Sequence, residues 1–193
     1  DGRLHAYVTM TAEEALKAAK AAEQEILQGN HRGPMHGVPV AVKDQIQTAG
    51  ILTTGGSPVF SSNIPTEDAT VITNLKAAGA VLLGKLNMTE FATTALSHQF
   101  DPPRNPWDLD RSTGGSSSGS GAATAAFLCG SALGEDTGGS VRLPAAWCGL
   151  AGIRPTYGRV SRYGVMPGVR SMDTVGPLAR TVADCAMTLA AIS

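Results

Sequence analysis

Where the glycines fall constrains the fold of this chain more than anything else in its sequence. There are 23 of them, against the ~14 that ordinary usage of ~7% would give. The unusual ones concentrate in two blocks, "RSTGGSSSGSGAA" at 111–123 and "GEDTGGSVR" at 134–142, with a looser group from Gly149 to Gly176. A Gly/Ser run standing alone reads as a flexible linker. This one runs straight into "AATAAFLCGSAL", an apolar, alanine-rich stretch of helical character, where a linker would meet a polar boundary. Close approach of backbone to backbone is the better account of so many missing side chains.

The flanking segments predict alternating helices and strands. Thr11 with Glu14 has the form of a capping box, and the helix it would open runs to Gln28, placing Leu16, Ala19, Ala22, Ile26 and Leu27 on one face. "HGVPVAVKD" predicts a buried strand from Val38 to Val42 that delivers Lys43 to its end. A second helix is expected from Thr66, presenting Val71, Ile72, Leu75 and Ala78 before Gly79 stops it, with a strand from Ala80 to Leu83 directly after. "MTEFA" at 88–92 reads as a short helical turn. The segment from Ser97 to Ser112, broken by Pro102, Pro103 and Pro106, reads as loop. A last helix is expected from Thr181 to Ala191, with Asp184 in its first turn. Strand, helix and strand with tight joins favour an α/β architecture in one domain over 1–193.

Composition narrows the function. Fifteen basic against sixteen acidic residues leave a formal charge of −1, so no global positive field recruits nucleic acid or an anionic membrane. No window is long and apolar enough for a membrane span. Cys129, Cys148 and Cys185 are too few and too far apart for a disulfide framework, which favours a reducing, cytoplasmic setting. His5, His31, His36 and His98 show no metal-ligand spacing and read mostly as solvated side chains. No cofactor motif survives inspection. "GGSSSGSG" lacks the lysine of a phosphate loop, and its glycines do not sit in the first strand-to-helix turn of a dinucleotide fold. Gly115 to Gly119 does match Gly-x-Ser-x-Gly and nominates Ser117 as an elbow nucleophile, but polar turn formers precede it instead of the required apolar strand.

Other side chains keep two readings open. Lys43, at the end of an apolar strand, is either a snorkelling surface residue or a desolvated amine usable as a base. In "GEDTGGSVRLPAA", Ser140 follows two glycines whose backbone amides could face an oxyanion. The plainer alternative is a structural turn tied by an Asp136–Arg142 pair.

Taken together, "HGVPVAVKD" (36–44), "GAVLLGKLNMTEFA" (79–92), "NPWDLDRSTGGSSSGSGAATAA" (105–126), "ALGEDTGGSVRLPAAWCGLAGIRPTYGRVSRYG" (132–164) and "DTVGPLARTVADCA" (173–186) closely resemble the amidase signature family, in the correct order over almost the whole chain. The resemblance implies an α/β/α layered core with a mixed sheet, incomplete at both ends. Lys43, Ser116 and Ser140 match the family's lysine, cis-serine and nucleophilic serine. The amides of Thr137, Gly138, Gly139 and Ser140 match its oxyanion hole, and Asp136 and Arg142 match supporting positions. Ser118 stands where many relatives have glycine.

The implied activity is hydrolysis of a small carboxamide through an acyl-enzyme on Ser140, without a cofactor or a metal, with Ser116 and Lys43 relaying the proton. For Lys43 to serve as a neutral base, Asp44 must point away from it or be shielded. The alternative within the family is the glutaminase component of a tRNA-dependent amidotransferase, which would add a nucleic-acid partner. An alternative of another class is a non-catalytic binding or scaffold protein of the same fold. Family members usually run to about twice this length, so the C-terminal half, or a second chain, is expected to complete the acyl pocket. Assembly into a homo-oligomer is left open.

Overall fold

The computed structural model describes residues 1–93 and 98–193. Its strands are β1 (Tyr7–Met10), β2 (Pro39–Lys43), β3 (Val81–Leu86), the short pair β4 (Arg104–Asn105) and β5 (Asp108–Ser112), β6 (Ser131–Glu135), β7 (Ala151–Gly152) and β8 (Val175–Ala179). Its helices are α1 (Ala12–Leu27), α2 (Thr70–Ala77), α3 (Ser118–Ala125), α4 (Arg142–Cys148) and α5 (Val182–Ile192). Six strands form one mixed sheet in the order β1-β3-β2-β6-β8-β7. β2 runs parallel to both β3 and β6, while β1, β8 and β7 pair antiparallel with their neighbours.

Side-chain alternation along β2 and β6 builds the layers. Val40, Val42 and Leu133 face one side, where they pack with Val71, Ile72 and Leu75 of α2 and Ile192 of α5. Ala41 and Ala132 face the other, against Leu86 and the small Ala122 and Ala123 of α3. The result is the expected α/β/α arrangement. An eight-residue helix such as α2 is too short to be stable alone. Burying its three large apolar side chains, at about 1.5–3 kcal/mol each, is what holds it.

The path through β2 matters for the site. The chain leaves β2 for β3 on one side, then returns past β2 to place β6 on the other side. β2 is therefore a topological switch strand, and in such sheets the crevice for a ligand lies outside the strands' carboxyl ends. Lys43 ends β2 and Glu135 ends β6.

Gly119 shows why the first glycine-rich block cannot carry side chains. A Cβ there would lie 2.3 Å from the Ala6 carbonyl oxygen and 2.6 Å from the Asn87 nitrogen, because the start of α3 is pressed onto backbone beside β1 and β3. Gly119 N–H donates to the Asn87 carbonyl at 2.8 Å across the same contact.

Several local expectations change. The capping box at Thr11 does not form, because the Thr11 hydroxyl donates to the Leu82 carbonyl and ties α1 to β3 instead. α1 rests on its small residues Ala15 and Ala22, leaving Leu16, Ile26 and Leu27 exposed and Ala19 outward. α2 begins at Thr70 and not at Thr66, since Ala69 N–H donates to Gln47 and Asp68 accepts from Ala49, holding the approach to a loop. The apolar stretch after the first block is helical only to Ala125, and Ser131–Glu135 is a central strand. β4 and β5 form a small hairpin inside the segment read as loop, seated on the end of α4 through Trp107 Nε1–H to the Cys148 carbonyl at 2.8 Å. Ser97, the start of that expected loop, lies outside the described residues. His36 is buried rather than solvated, with Nδ1 accepting from Arg32 N–H and Nε2 3.2 Å from Glu25. The last helix has the expected cap, Thr181 Oγ1 accepting from Asp184 N–H at 3.1 Å. Among the described residues, no helix is long and apolar enough to cross a membrane.

Gly119→Ala is expected to cost about 1–3 kcal/mol of stability, the range for overpacking a filled site. Denaturant unfolding measures it, and a variant as stable as the parent would contradict the close approach at α3.

Candidate active site

Lys43 is wholly buried at the carboxyl end of β2. Its Nζ donates to Ser116 Oγ at 2.7 Å and to the Glu135 carbonyl at 3.3 Å, with Glu135 Oε2 a further contact at 3.6 Å. The lysine and Ser116, 73 residues apart, thus meet within the range of direct proton transfer. Burial lowers the Lys43 ammonium from its ordinary value to about 8, against the opposing pull of Glu135 first and then Asp136 and Asp173.

Ser116 is buried just before α3, following a cis Gly115–Ser116 peptide bond. Its carbonyl accepts from Thr89 N–H at 3.2 Å. Ser117 N–H donates to the Ser140 carbonyl at 3.2 Å, which stitches the two glycine-rich blocks together. Ser116 and Ser140 both open onto a cleft of about 700 Å³ whose walls include Phe91, Leu143, Trp147 and Pro167. Ser117 is turned the other way. It is fully buried, and its hydroxyl contacts the backbone of Glu135 at 3.4 Å.

The second block is wrapped around one carboxylate. Asp136 Oδ1 accepts from Gly139 N–H at 2.7 Å and Arg142 Nη2 at 3.0 Å, and Oδ2 accepts from Val141 N–H at 3.1 Å and Arg142 Nε at 3.0 Å. Arg154 Nε adds an ion pair at 3.5 Å. Burial works to raise the Asp136 carboxyl, and the Arg142 guanidinium with the surrounding amides outweighs it, leaving the group below its ordinary value. Gly139, at φ +133, takes a backbone conformation that side chains disfavour. Its amide is committed to Asp136 and does not face the cleft.

Asp44 satisfies the condition set for a neutral Lys43. Its carboxylate accepts from Thr54 N–H at 2.9 Å and from the Thr54 hydroxyl, and lies 4.0 Å from the buried Lys85 ammonium. Lys85 also donates to Thr53 Oγ1 at 2.8 Å and to the Ile46 carbonyl. Burial pushes Lys85 down to about 8, opposed by Asp44 and Asp68. Burial raises the Asp44 carboxyl, with Lys85 and Thr54 opposing.

Lys43, Ser116, Ser140, Thr137, Gly138, Gly139, Asp136 and Arg142 therefore lie in one neighbourhood. Sequence reading passed over Glu135, Lys85 and Asp173. The signal that singled out Lys43, an ionisable residue in or ending an apolar strand, is present in "SALGE" and "VLLGKL" as well.

A buried amine bonded to a serine hydroxyl, beside a second serine on a glycine-rich turn, defines a site able to move a proton from one hydroxyl to an amine and so activate a nucleophile. The family comparison bears on that class directly: the Amidase family model matches residues 1–193, and the chain belongs to the amidase family. It is 52% identical over 195 residues to a glutamyl-tRNA(Gln) amidotransferase subunit of Moorella thermoacetica, covering all of this chain and 40% of that protein. The native peptide amidase of Stenotrophomonas maltophilia superposes with a TM-score of 0.91 at 41% identity, over 98% of this chain and 40% of that one. The corresponding glutamyl-tRNA(Gln) amidotransferase subunit of Thermotoga maritima superposes with a TM-score of 0.80 at 41% identity, over 95% of this chain and 44% of that one. The chain spans about two fifths of the length of the curated relatives it matches.

Asp136→Asn is expected to destabilise the protein by about 1.5–3 kcal/mol at neutral pH, the range for hydrogen bonds to a charged group. Because the folded-state pKa is depressed, this difference is complete above the ordinary carboxylate value near 3.8 and is lost as pH falls through the lower folded value. Unfolding curves of both proteins across acid pH measure it, and a pH-independent difference would contradict the assignment.

Proposed function

We propose that the protein containing this chain hydrolyses a carboxamide C–N bond through an acyl-enzyme on Ser140. The observation that carries the reading is the 2.7 Å contact between the buried Lys43 amine and Ser116 Oγ, at a cleft that Ser140 also lines. Ser140 Oγ attacks the amide carbonyl carbon and passes its proton to Ser116, which passes its own to neutral Lys43 Nζ. The middle hydroxyl is suited to this because it accepts and donates at once. The relay then runs in reverse and protonates the departing ammonia or amine. Water releases the acyl group in a second round of the same transfers.

The oxyanion is assigned to backbone amides on the turn 137–140, held rigid from behind by Asp136. With the Gly139 amide already bound to Asp136, the stabilising donors are drawn from Thr137, Gly138 and Ser140. Arg142 and Arg154 keep the Asp136 charge paired while it does this. The half-open cleft, with Leu143 and Trp147 exposed on its wall, supports a pocket completed by sequence or a second chain beyond these residues, which would set acyl and amine selectivity. The three buried, unpaired thiols support a reducing, cytoplasmic setting.

A second reading is favoured by the name of the Moorella relative: the glutaminase component of a tRNA-dependent amidotransferase, releasing ammonia to a partner. Ammonia release from simple amides by the isolated full-length protein selects the amidase. Co-purification with tRNA and a second protein chain selects the amidotransferase.

Ser140→Ala is expected to abolish covalent labelling by a serine-directed acylating reagent, read by intact mass, with the fold preserved. Labelling that persists in Ser140→Ala and vanishes in Ser117→Ala would contradict the assignment. Lys43→Ala is expected to remove the acid limb of the acylation pH profile, leaving a slow residual rate. A limb unchanged by the substitution would leave Lys43 a structural role.

A further inference from the structure

Thr137 is in contact with two carboxyl groups and has one hydroxyl proton to give. Its Oγ1 lies 2.6 Å from Asp173 Oδ1 and 2.9 Å from Glu135 Oε1. Asp173 accepts at both oxygens: Gly168 N–H donates to its Oδ2 at 2.9 Å and Val169 N–H to its Oδ1 at 2.8 Å. The 2.6 Å separation falls in the range of a hydroxyl donating to a carboxylate, so the Thr137 proton goes to Asp173. Thr137 Oγ1 is then an acceptor toward Glu135, and a fully buried Glu135 oxygen at hydrogen-bond distance from an acceptor needs a proton of its own.

We propose that Glu135 rests as the carboxylic acid, its Oε1–H donating to Thr137, so that Lys43 faces an uncharged group and rests as the free amine. The inference rests on the reading of Lys43 as the base and adds Glu135, Thr137 and Asp173 as the positioning residues that set its resting protonation. One proton is shared by the Lys43–Glu135 pair in either arrangement, ammonium with carboxylate or amine with acid, and the pair is neutral in both. Thr137 and Asp173 select the second.

The other side of the pair agrees. Glu135 Oε2 stands 3.6 Å from Lys43 Nζ, well beyond the ~2.7–2.9 Å of a charge-assisted bond between ammonium and carboxylate. In a dry interior an ion pair of that kind is drawn together, because nothing else solvates the charges. Lys43 Nζ instead spends its short contact on Ser116 Oγ, and Glu135 Oε2 has Gln45 Nε2 at 3.4 Å. Of the other carboxyl groups around the lysine, Asp173 is held by the Gly168 and Val169 amides and the Thr137 hydroxyl. Asp136 is paired with Arg142 and Arg154, and Asp44 with Lys85. Glu135 and Asp173 also border a second cleft, of about 440 Å³, beside Arg162, Met166 and Arg170, which offers the proton an exchange route to water separate from the cleft of the two serines.

Two measurements on the intact protein test this. Infrared difference spectra at neutral pH, with the glutamate carboxyl carbons isotopically labelled, should show a protonated carboxyl C=O band that disappears in Glu135→Gln. Absence of that band in the wild type overturns the proposal, whatever the protein's activity. The acid limb of acylation is the second readout. Glutamine mimics the neutral acid and can donate to Thr137, so Glu135→Gln should leave the limb in place, whereas removing an ionised Glu135 would lower it by about one pH unit. Thr137→Val deletes the acceptor, favours the ionised carboxylate and should raise the limb by about one unit. A lowered limb in Glu135→Gln, or an unmoved limb in Thr137→Val, contradicts the assignment. A carboxyl band present in a protein with no acid limb would retain the protonated Glu135 and reject Lys43 as the base.

Discussion

The rest of the site depends on placing a lysine amine in a dry interior within 2.7 Å of a serine hydroxyl. Desolvation makes the ammonium the less favoured form, and a neutral amine is the form that can take a proton. The fold achieves the burial by ending β2 beneath the two glycine-rich loops, with β3 and β6 parallel on either side. Those loops can close over Lys43 only because glycine lets backbone reach backbone, as Gly119 does against Ala6 and Asn87.

Burying the lysine creates an electrostatic problem, and the surrounding carboxyl groups show how it is met. Asp44, next in sequence, is drawn off by Thr54 and Lys85. Asp136 is matched by Arg142 and Arg154 while it gathers the amides of the 136–142 turn. Asp173 collects the amides of Gly168 and Val169 and the Thr137 hydroxyl. Asp136 and Asp173 therefore order pieces of the cleft wall, while Asp44 is held away from the lysine. Glu135 has no cation closer than Lys43 itself among the described residues, which is why its proton matters to the base.

Much of this was legible in the sequence for identifiable reasons. The apolar runs before Lys43 and Gly84 marked strands, the periodicity of Val71, Ile72 and Leu75 marked a buried helix, and the two glycine-rich blocks marked close backbone approach. What escaped was settled by partners distant in the chain. Thr11 looks like a cap until Leu82 supplies a carbonyl for its hydroxyl, and His36 looks solvated until Glu25 covers it. The strand at Ser131–Glu135 continues an alanine-rich apolar stretch that reads as helix in isolation and becomes a strand through pairing on both edges. Asp173 sits in ordinary local sequence and Glu135 shares only the strand-end signal of Lys43, and their joint significance comes from meeting at Thr137.

The central claim is that Lys43 is a free amine at or near neutral pH, and heteronuclear NMR of the lysine side chains tests it most directly. With the Nζ nitrogens labelled, two buried lysines should titrate at about 8 or below, far under the ordinary value of 10.5, with Lys43 the lower of the two because an uncharged Glu135 does not hold its proton on. One of those signals should vanish in Lys43→Arg and the other in Lys85→Arg. A Lys43 signal that remains an ammonium up to the ordinary lysine range would contradict the account.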